Sequence, residues 1–193
     1  MTYVFIIVGI VLFVLAASNL IKDSDAKEKR RKDWLRGKID KVDGFNPSKT
    51  FIDTPNTVVS IDKENKKIFV KIDSSKGKVI NYKKLIGCEL LEDGEKVYSR
   101  SAGSTAGRVI AGSLILGPVG AIVGAATGKS VEKKKIKSLK LRLLVNDEIN
   151  PIITIPFLEL DSAHKPEGIL VKDSLKSITE WKSVFDVILS NND

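Results

Sequence analysis

Two stretches of this chain, Val4–Ile21 and Val109–Thr127, carry no Asp, Glu, Lys or Arg, while the remainder is rich in charge. Apolar runs of that length restrict where the protein resides, because a bilayer core is crossed by about 20 apolar residues rising 1.5 Å each. From Tyr3 the sequence reads YVFIIVGIVLFVLAASNLI, with the first charge at Lys22. No Lys or Arg precedes the run, whereas Lys22, Lys27, Lys29, Arg30, Arg31, Lys32, Arg36, Lys38 and Lys41 follow it. The excess of basic residues marks the cytoplasmic flank. The expectation is therefore a single-pass transmembrane anchor over residues 1–21 in the cell membrane, N terminus outside and the bulk of the chain cytoplasmic. The alternative is a cleaved signal peptide, with Ala16-Ala17-Ser18 as its small-residue site. An uncharged start and a run longer than the usual 7 to 15 residues oppose it. No cysteine follows the run at a distance suited to a lipid anchor.

Residues 22–49 form a basic juxtamembrane helix and linker. Between Lys27 and Lys41 eight basic residues face three acidic ones, Glu28, Asp33 and Asp40. Arg30, Arg31 and Lys32 are candidates for contact with anionic lipid head groups, at about 1 kcal/mol per basic residue near the surface. The plainer reading is the stop-transfer flank of any such anchor.

A single cysteine, Cys88, forms no internal disulfide, and a single histidine, His164, leaves no cluster for zinc. Disulfide scaffolds, zinc fingers and most histidine-dependent triads drop out on these counts. At 193 residues the chain fits one globular domain plus something extra. Its 32 basic and 24 acidic residues leave a moderate net charge of +8.

After Gly44-Phe45-Asn46-Pro47-Ser48 the sequence reads as short strands separated by turns. Thr57–Asp62 and Lys67–Ile72 are rich in β-branched residues, and Lys63–Lys66 between them fits a hairpin loop. Ile68, Val70 and Ile72 alternate with Lys67, Phe69 and Lys71, which predicts one buried and one mostly wet face. Lys78–Tyr82, Leu85–Leu91 and Lys96–Ser99 continue the series. After a break at 101–130, Ser138–Val145 carries a period-two stripe of Leu139, Leu141, Leu143 and Val145. Ile152–Phe157 follows, with Pro151 and Pro156 as bounds that favour a sheet edge. Ser174–Ser190 places Leu175, Ile178, Trp181, Val184, Phe185 and Ile188 at helical spacing, with Asp173 or Ser174 as cap. Trp181, Phe185 and Ile188 are expected in the core.

Strands followed by one terminal amphipathic helix is the order of a pleckstrin-homology-like (PH-like) sandwich. The chain resembles small bacterial or prophage-encoded membrane proteins in three places: the hairpin IDKENKKIFVKI, the unit VINYKKLIGCELLEDGEKV, and the insert GRVIAGSLILGPVGAIVGAATGKS. The resemblance implies a PH-like sandwich or barrel over residues 50–193, interrupted at 101–130 by a glycine-zipper insert and tethered by the N-terminal helix. It brings no activity with it.

Within the insert, Gly112 and Gly117 punctuate the apolar run, and Gly120, Gly124 and Gly128 fall at spacing four, on one helix face. Small residues there let two helices approach closely. Gly117-Pro118 breaks a straight helix, so an apolar helical hairpin is expected. A full crossing conflicts with the basic flank after the run, Lys129, Lys133, Lys134, Lys135 and Lys137. A hairpin dipping into the bilayer or packing on the first helix avoids that conflict, and packing on a soluble partner is the other reading.

No catalytic or metal site is expected, and no cofactor. Gly124–Ser130 imitates a phosphate loop but has three residues between its glycines instead of four. Glu159, Asp161 and His164 read as an ordinary polar loop. Lys133, Lys134 and Lys135 lack interleaved aromatics, which favours anionic lipid over nucleic acid as their partner. The function this predicts is a non-enzymatic binding or scaffold protein at the membrane surface, with membrane lipids and a protein partner or second copy as partners. The alternative is an oligomerising membrane-active effector or immunity (exclusion) protein that permeabilises or modulates the bilayer.

Overall fold

The computed structural model describes the backbone of residues 2–53, 56–102, 108–109 and 135–192, and within 2–19 it describes side chains only at Phe13 and Ser18. The first element, α1, is one unbroken helix, Thr2–Ile39, taking in the expected anchor and most of the juxtamembrane stretch. Its exposed middle is supported by pairs four residues apart, Asp23 with Lys27 at 2.7 Å and Glu28 with Lys32 at 2.6 Å. Among the described residues no helix is long and apolar enough to cross a membrane. The expected transmembrane anchor is thus not found there, and most side chains of its apolar run lie outside the described residues.

Two antiparallel sheets and a terminal helix make the body. Strands β1 (Lys49–Asp53), β2 (Thr57–Asp62), β3 (Lys67–Lys71) and β4 (Lys78–Asn81) form the first sheet in sequence order. The second contains β5 (Leu85–Glu92), β6 (Glu95–Ser101), β7 (Arg108–Val109), β8 (Ile136–Val145) and β9 (Ile152–His164), in the order β7-β6-β5-β8-β9. It is no simple meander, since β8 pairs with β5 and not with β6. The closing helix α2 is Ile169–Ser190.

The main core lies where these layers meet. Val59, Ile68, Val70 and Ile80 from the first sheet join Cys88, Leu90, Leu139, Leu141, Leu143 and Phe157 from the second and Ile178, Trp181 and Phe185 from α2. An aromatic group ties the three layers together. The ring of Phe51 on β1 stacks on that of Phe157 on β9 at 4.4 Å and meets Trp181 on α2 edge-on at 6.4 Å, and Trp181 in turn lies 5.8 Å from Phe185.

Several sequence expectations need correction. β3 has no wet face: Phe69 is only 4 % exposed, because Leu35 and Ile39 of α1, with Phe45 and Val58, cover it in a second, smaller core. Its ring also sits against Gly77, whose φ of +83° and 2.6 Å approach leave no room for a side chain. Pro156 does not end the last strand. β9 does lie at the sheet edge, as expected, and there a register shift beside Lys140 and Pro156 accommodates the proline within a 13-residue strand. α2 starts five residues before the expected cap, after Gly168. Val109, expected to open the apolar hairpin, belongs to the short strand β7, and the remainder of that hairpin, residues 110–130, lies outside the described residues.

The β2–β3 turn is held by Asp62, which is fully buried. Its carboxylate accepts from the Asn46 N–H at 2.7 Å, the Asn65 N–H at 2.9 Å and the Asn65 Nδ2 at 2.7 Å. Burial pushes this carboxyl up, but the hydrogen bonds outweigh it and hold the pKa below the ordinary 3.8.

Two outcomes follow for the folded body. Phe157→Ala removes the ring shared by both sheets and is expected to cost about 3–5 kcal/mol in denaturant unfolding. Because the folded pKa of Asp62 is the lower one, its contribution is complete above the unfolded pKa and is lost as pH falls through the folded value. The melting-temperature gap between the wild type and Asp62→Asn is therefore expected to be widest near neutral pH and to narrow as pH is lowered below about 4. A gap that is independent of pH would contradict the assignment.

Candidate functional site

The body has two distinct ends, and at one of them lie both the point where α1 clears the first sheet and the described flanks of the insert. α1 crosses the outer face of the first sheet, from Gly44, whose carbonyl accepts from Lys67 Nζ at 2.7 Å, back to Arg31. There Arg31 Nη1 donates to the Asp53 carbonyl at the end of β1 at 3.2 Å. Beyond Arg31 the helix continues to Thr2, about 40 Å at 1.5 Å per residue.

The insert departs from and returns to the same end. β7 pairs antiparallel with β6, Val109 opposite Tyr98, so the chain leaves it heading toward the β5–β6 turn. That turn is tight, with Asp93 at φ 51° and Gly94 at φ 88°. Asp93 also receives the returning chain: its Oδ1 accepts from the N–H groups of Lys137 at 2.9 Å and Ser138 at 2.7 Å, and its own N–H donates to the Ser138 carbonyl at 3.1 Å. β8 thus opens beside the turn toward which β7 points.

A cavity of about 380 Å³ shows that these two ends coincide. Asp53 of the first sheet lines it together with Pro156–Leu160 of β9, Leu170 and Ser174. Glu159 is the register partner of Ser138, the residue that Asp93 holds. Around this end Lys135, Lys137, Lys165 and Lys172 are exposed, and Ile169 and Leu170 at the start of α2 are 79 % and 64 % exposed.

The sequence-derived candidates fall unevenly on this geometry. Arg30 is exposed, Arg31 turns onto Asp53, and Lys32 pairs with Glu28. Lys135 immediately precedes β8 and is exposed. Gly112, Gly117, Gly120, Gly124, Gly128, Lys133 and Lys134 lie outside the described residues. Sequence reasoning missed Asp53, Asp93, Ile169 and Leu170. The Asp93-Gly94 pair was the available signal for a tight turn, but nothing local marked its carboxylate as the acceptor for a strand 44 residues away.

Reactive groups elsewhere are occupied structurally. Cys88 is fully buried in the core, and that burial pushes its thiol far above the range of a nucleophile. Tyr98 is raised by burial and then by donating to Asp186 at 2.9 Å, with Lys182 stacked over its ring at 3.8 Å. His164 Nε2 lies 3.2 Å from Ser162 Oγ, while Glu159 pairs with Lys140 at 2.5 Å. Among the described residues no group of three or more His, Cys, Asp or Glu is placed to hold a metal.

This chain is 24 % identical over 157 residues to the protein named Immunity protein of Bacillus phage SPbeta, covering 76 % of each chain. It is also 24 % identical over 157 residues to the SPbeta prophage-derived uncharacterized membrane protein YomJ of Bacillus subtilis (strain 168), covering 76 % of this chain and 67 % of that one. No solved structure matches. Residues 49–159, more than half of the chain and including every strand from β1 to β8, match the sequence model of one family, and the protein belongs to it: the glycine zipper containing PH domains.

Proposed function

We propose that this protein is a non-enzymatic, membrane-tethered module whose two sheets and closing helix serve as a PH-like sandwich on the cytoplasmic face. In this reading the N-terminal part of α1 is the anchor, and the glycine-zipper insert dips into the bilayer or packs beside that anchor. The observation that carries the reading is the convergence of α1, both flanks of the insert and the exposed pair Ile169–Leu170 on one end of the body. An end with emerging apolar segments and a ring of lysines suits an anionic bilayer surface. The description of the Bacillus subtilis relative as a membrane protein supports it further. Small residues at spacing four, Gly120, Gly124 and Gly128, give the insert a face for close helix packing, either within one chain or between copies.

The experiment is cysteine-accessibility mapping in intact cells, with single cysteines at Ser24, Ser104, Ser130 and Asn192 in a Cys88→Ala background. All four are expected to stay shielded until the membrane is permeabilised. Labelling of Ser130 and Asn192 from outside would make the insert a second crossing and overturn the arrangement.

The name of the phage relative favours a second reading, an immunity (exclusion) protein that acts by modulating the bilayer. The two readings part at Gly124→Leu, which blocks close helix approach. A bilayer-modulating protein loses dye leakage from vesicles and any protection of the host cell. A tether keeps its membrane location and has no leakage to lose.

A further inference from the structure

The opposite end of the body, where the chain passes from α1 into β1, carries a groove. It encloses about 550 Å³ between the last turns of α2 and the first sheet, a volume in the range of ligand sites. Ile61, Val184, Val187 and Ile188 supply its apolar lining, and Lys49, Lys63 and Lys66 its cationic rim. Val187 is 61 % exposed, although it stands beside the buried Ile188. Tyr82 completes the wall.

The rim is rigid as well as charged. Lys63 and Lys66 sit on the β2–β3 turn that Asp62 holds, and Lys66 has a left-handed φ of 53°. The Lys63 N–H donates to Ser48 Oγ at 3.1 Å, and the Lys66 carbonyl accepts from the Tyr82 N–H at 2.8 Å. Tyr82 is fixed from the other side by Asn192 Nδ2, which donates to its carbonyl at 2.5 Å. Lys49 is already shared between Glu180 at 3.5 Å and the Trp181 ring. Lys63 and Lys66 make no salt bridge among the described residues, so their charge is available. Fixed donors beside an apolar floor lose little freedom on binding.

We propose that this groove binds a short segment of a soluble protein partner, in which an apolar side chain is flanked by Asp or Glu. The apolar side chain lies on Val184, Val187 and Ile188. A flanking carboxylate accepts from the ammonium groups of Lys63 and Lys66. The choice of a soluble partner over a lipid rests on the proposed membrane orientation, in which this end faces away from the bilayer.

The test pans the full chain, in phosphatidylcholine–phosphatidylglycerol nanodiscs, against a displayed library of random heptapeptides. Enriched peptides are then titrated by fluorescence anisotropy against the wild type, Lys63→Glu/Lys66→Glu and Val187→Asp. All three substitutions are on the surface, and unchanged melting temperatures verify folding. Peptides combining acidic and apolar residues are expected to be enriched, and each variant is expected to weaken them by about tenfold or more. No such enrichment, or equal binding by both variants, overturns the proposal. A dye on Val187→Cys with spin-labelled lipid in the same nanodiscs separates the two possible failures. Quenching places the groove at the bilayer and overturns the orientation and the soluble partner together. An unquenched dye without peptide enrichment overturns the groove proposal alone.

Discussion

Because β7 runs antiparallel to β6, and β6 and β8 both run antiparallel to β5, the chain between β7 and β8 must leave and return at a single end of the second sheet. The pairing makes the glycine-rich segment an excursion from one end of the body, so its content can change without altering the register of Leu90 with Leu141 or Cys88 with Leu143. A long apolar insertion is tolerable in a small domain on these terms, since closing a longer loop costs little once its ends are fixed.

The same end receives α1, and the reason lies in the first sheet. A four-stranded sheet with a second layer on one face leaves its other face to water unless something covers it. Here Phe69, Val58 and Ile52 face outward, and the last turns of α1 with Phe45 bury them. The small core fixes the direction of the helix, and the Arg31 bond to Asp53 fixes where it clears the sheet. The helix is therefore attached by packing, not by a loose linker. The aromatic contact of Phe51, Phe157 and Trp181 then makes the two sheets and α2 one unit, so the orientation of α1 is transmitted to the whole body.

The parts of this architecture that were legible in the sequence are those whose periodicity is set by a single environment. Leu139, Leu141, Leu143 and Val145 of β8 alternate because one face meets the core and the other does not, and the stripe reads directly. Trp181, Phe185 and Ile188 are buried on α2 as their spacing indicates. β3 misled for the converse reason: both its faces are covered, one of them by a helix far away in sequence, so Phe69 looked like an exposed position. β1, with Lys49 and Asp53 at its ends and only Thr50, Phe51 and Ile52 β-forming, offers too short a pattern to be recognised alone. Pro156 reads as a strand bound, and the strand runs on to His164, because a local rule for proline does not register the edge bulge that accommodates it. The convergence of α1 and the insert is set by strand order, which no window of sequence encodes. The groove draws its lining from β1, β2, a turn and α2, and its lysines read singly as ordinary turn residues.

Asp62 and Asp93 reveal how two apolar additions are joined to one body without disturbing it. Each sits at a hairpin whose path includes a non-glycine residue at positive φ, Lys66 in one case and Asp93 itself in the other. Each carboxylate accepts backbone N–H groups from the point where an appended segment re-enters the fold: Asn46, just after α1, and Lys137 and Ser138, just after the insert. A carboxylate serves this purpose well, because it accepts several N–H groups at once and these bonds are charge-assisted. The two joints lie at opposite ends of the body. The joint after α1 stiffens the turn that carries Lys63 and Lys66, and the joint after the insert stiffens the β5–β6 turn. The two ends thus draw on the same local device, a hairpin aspartate that holds an incoming backbone.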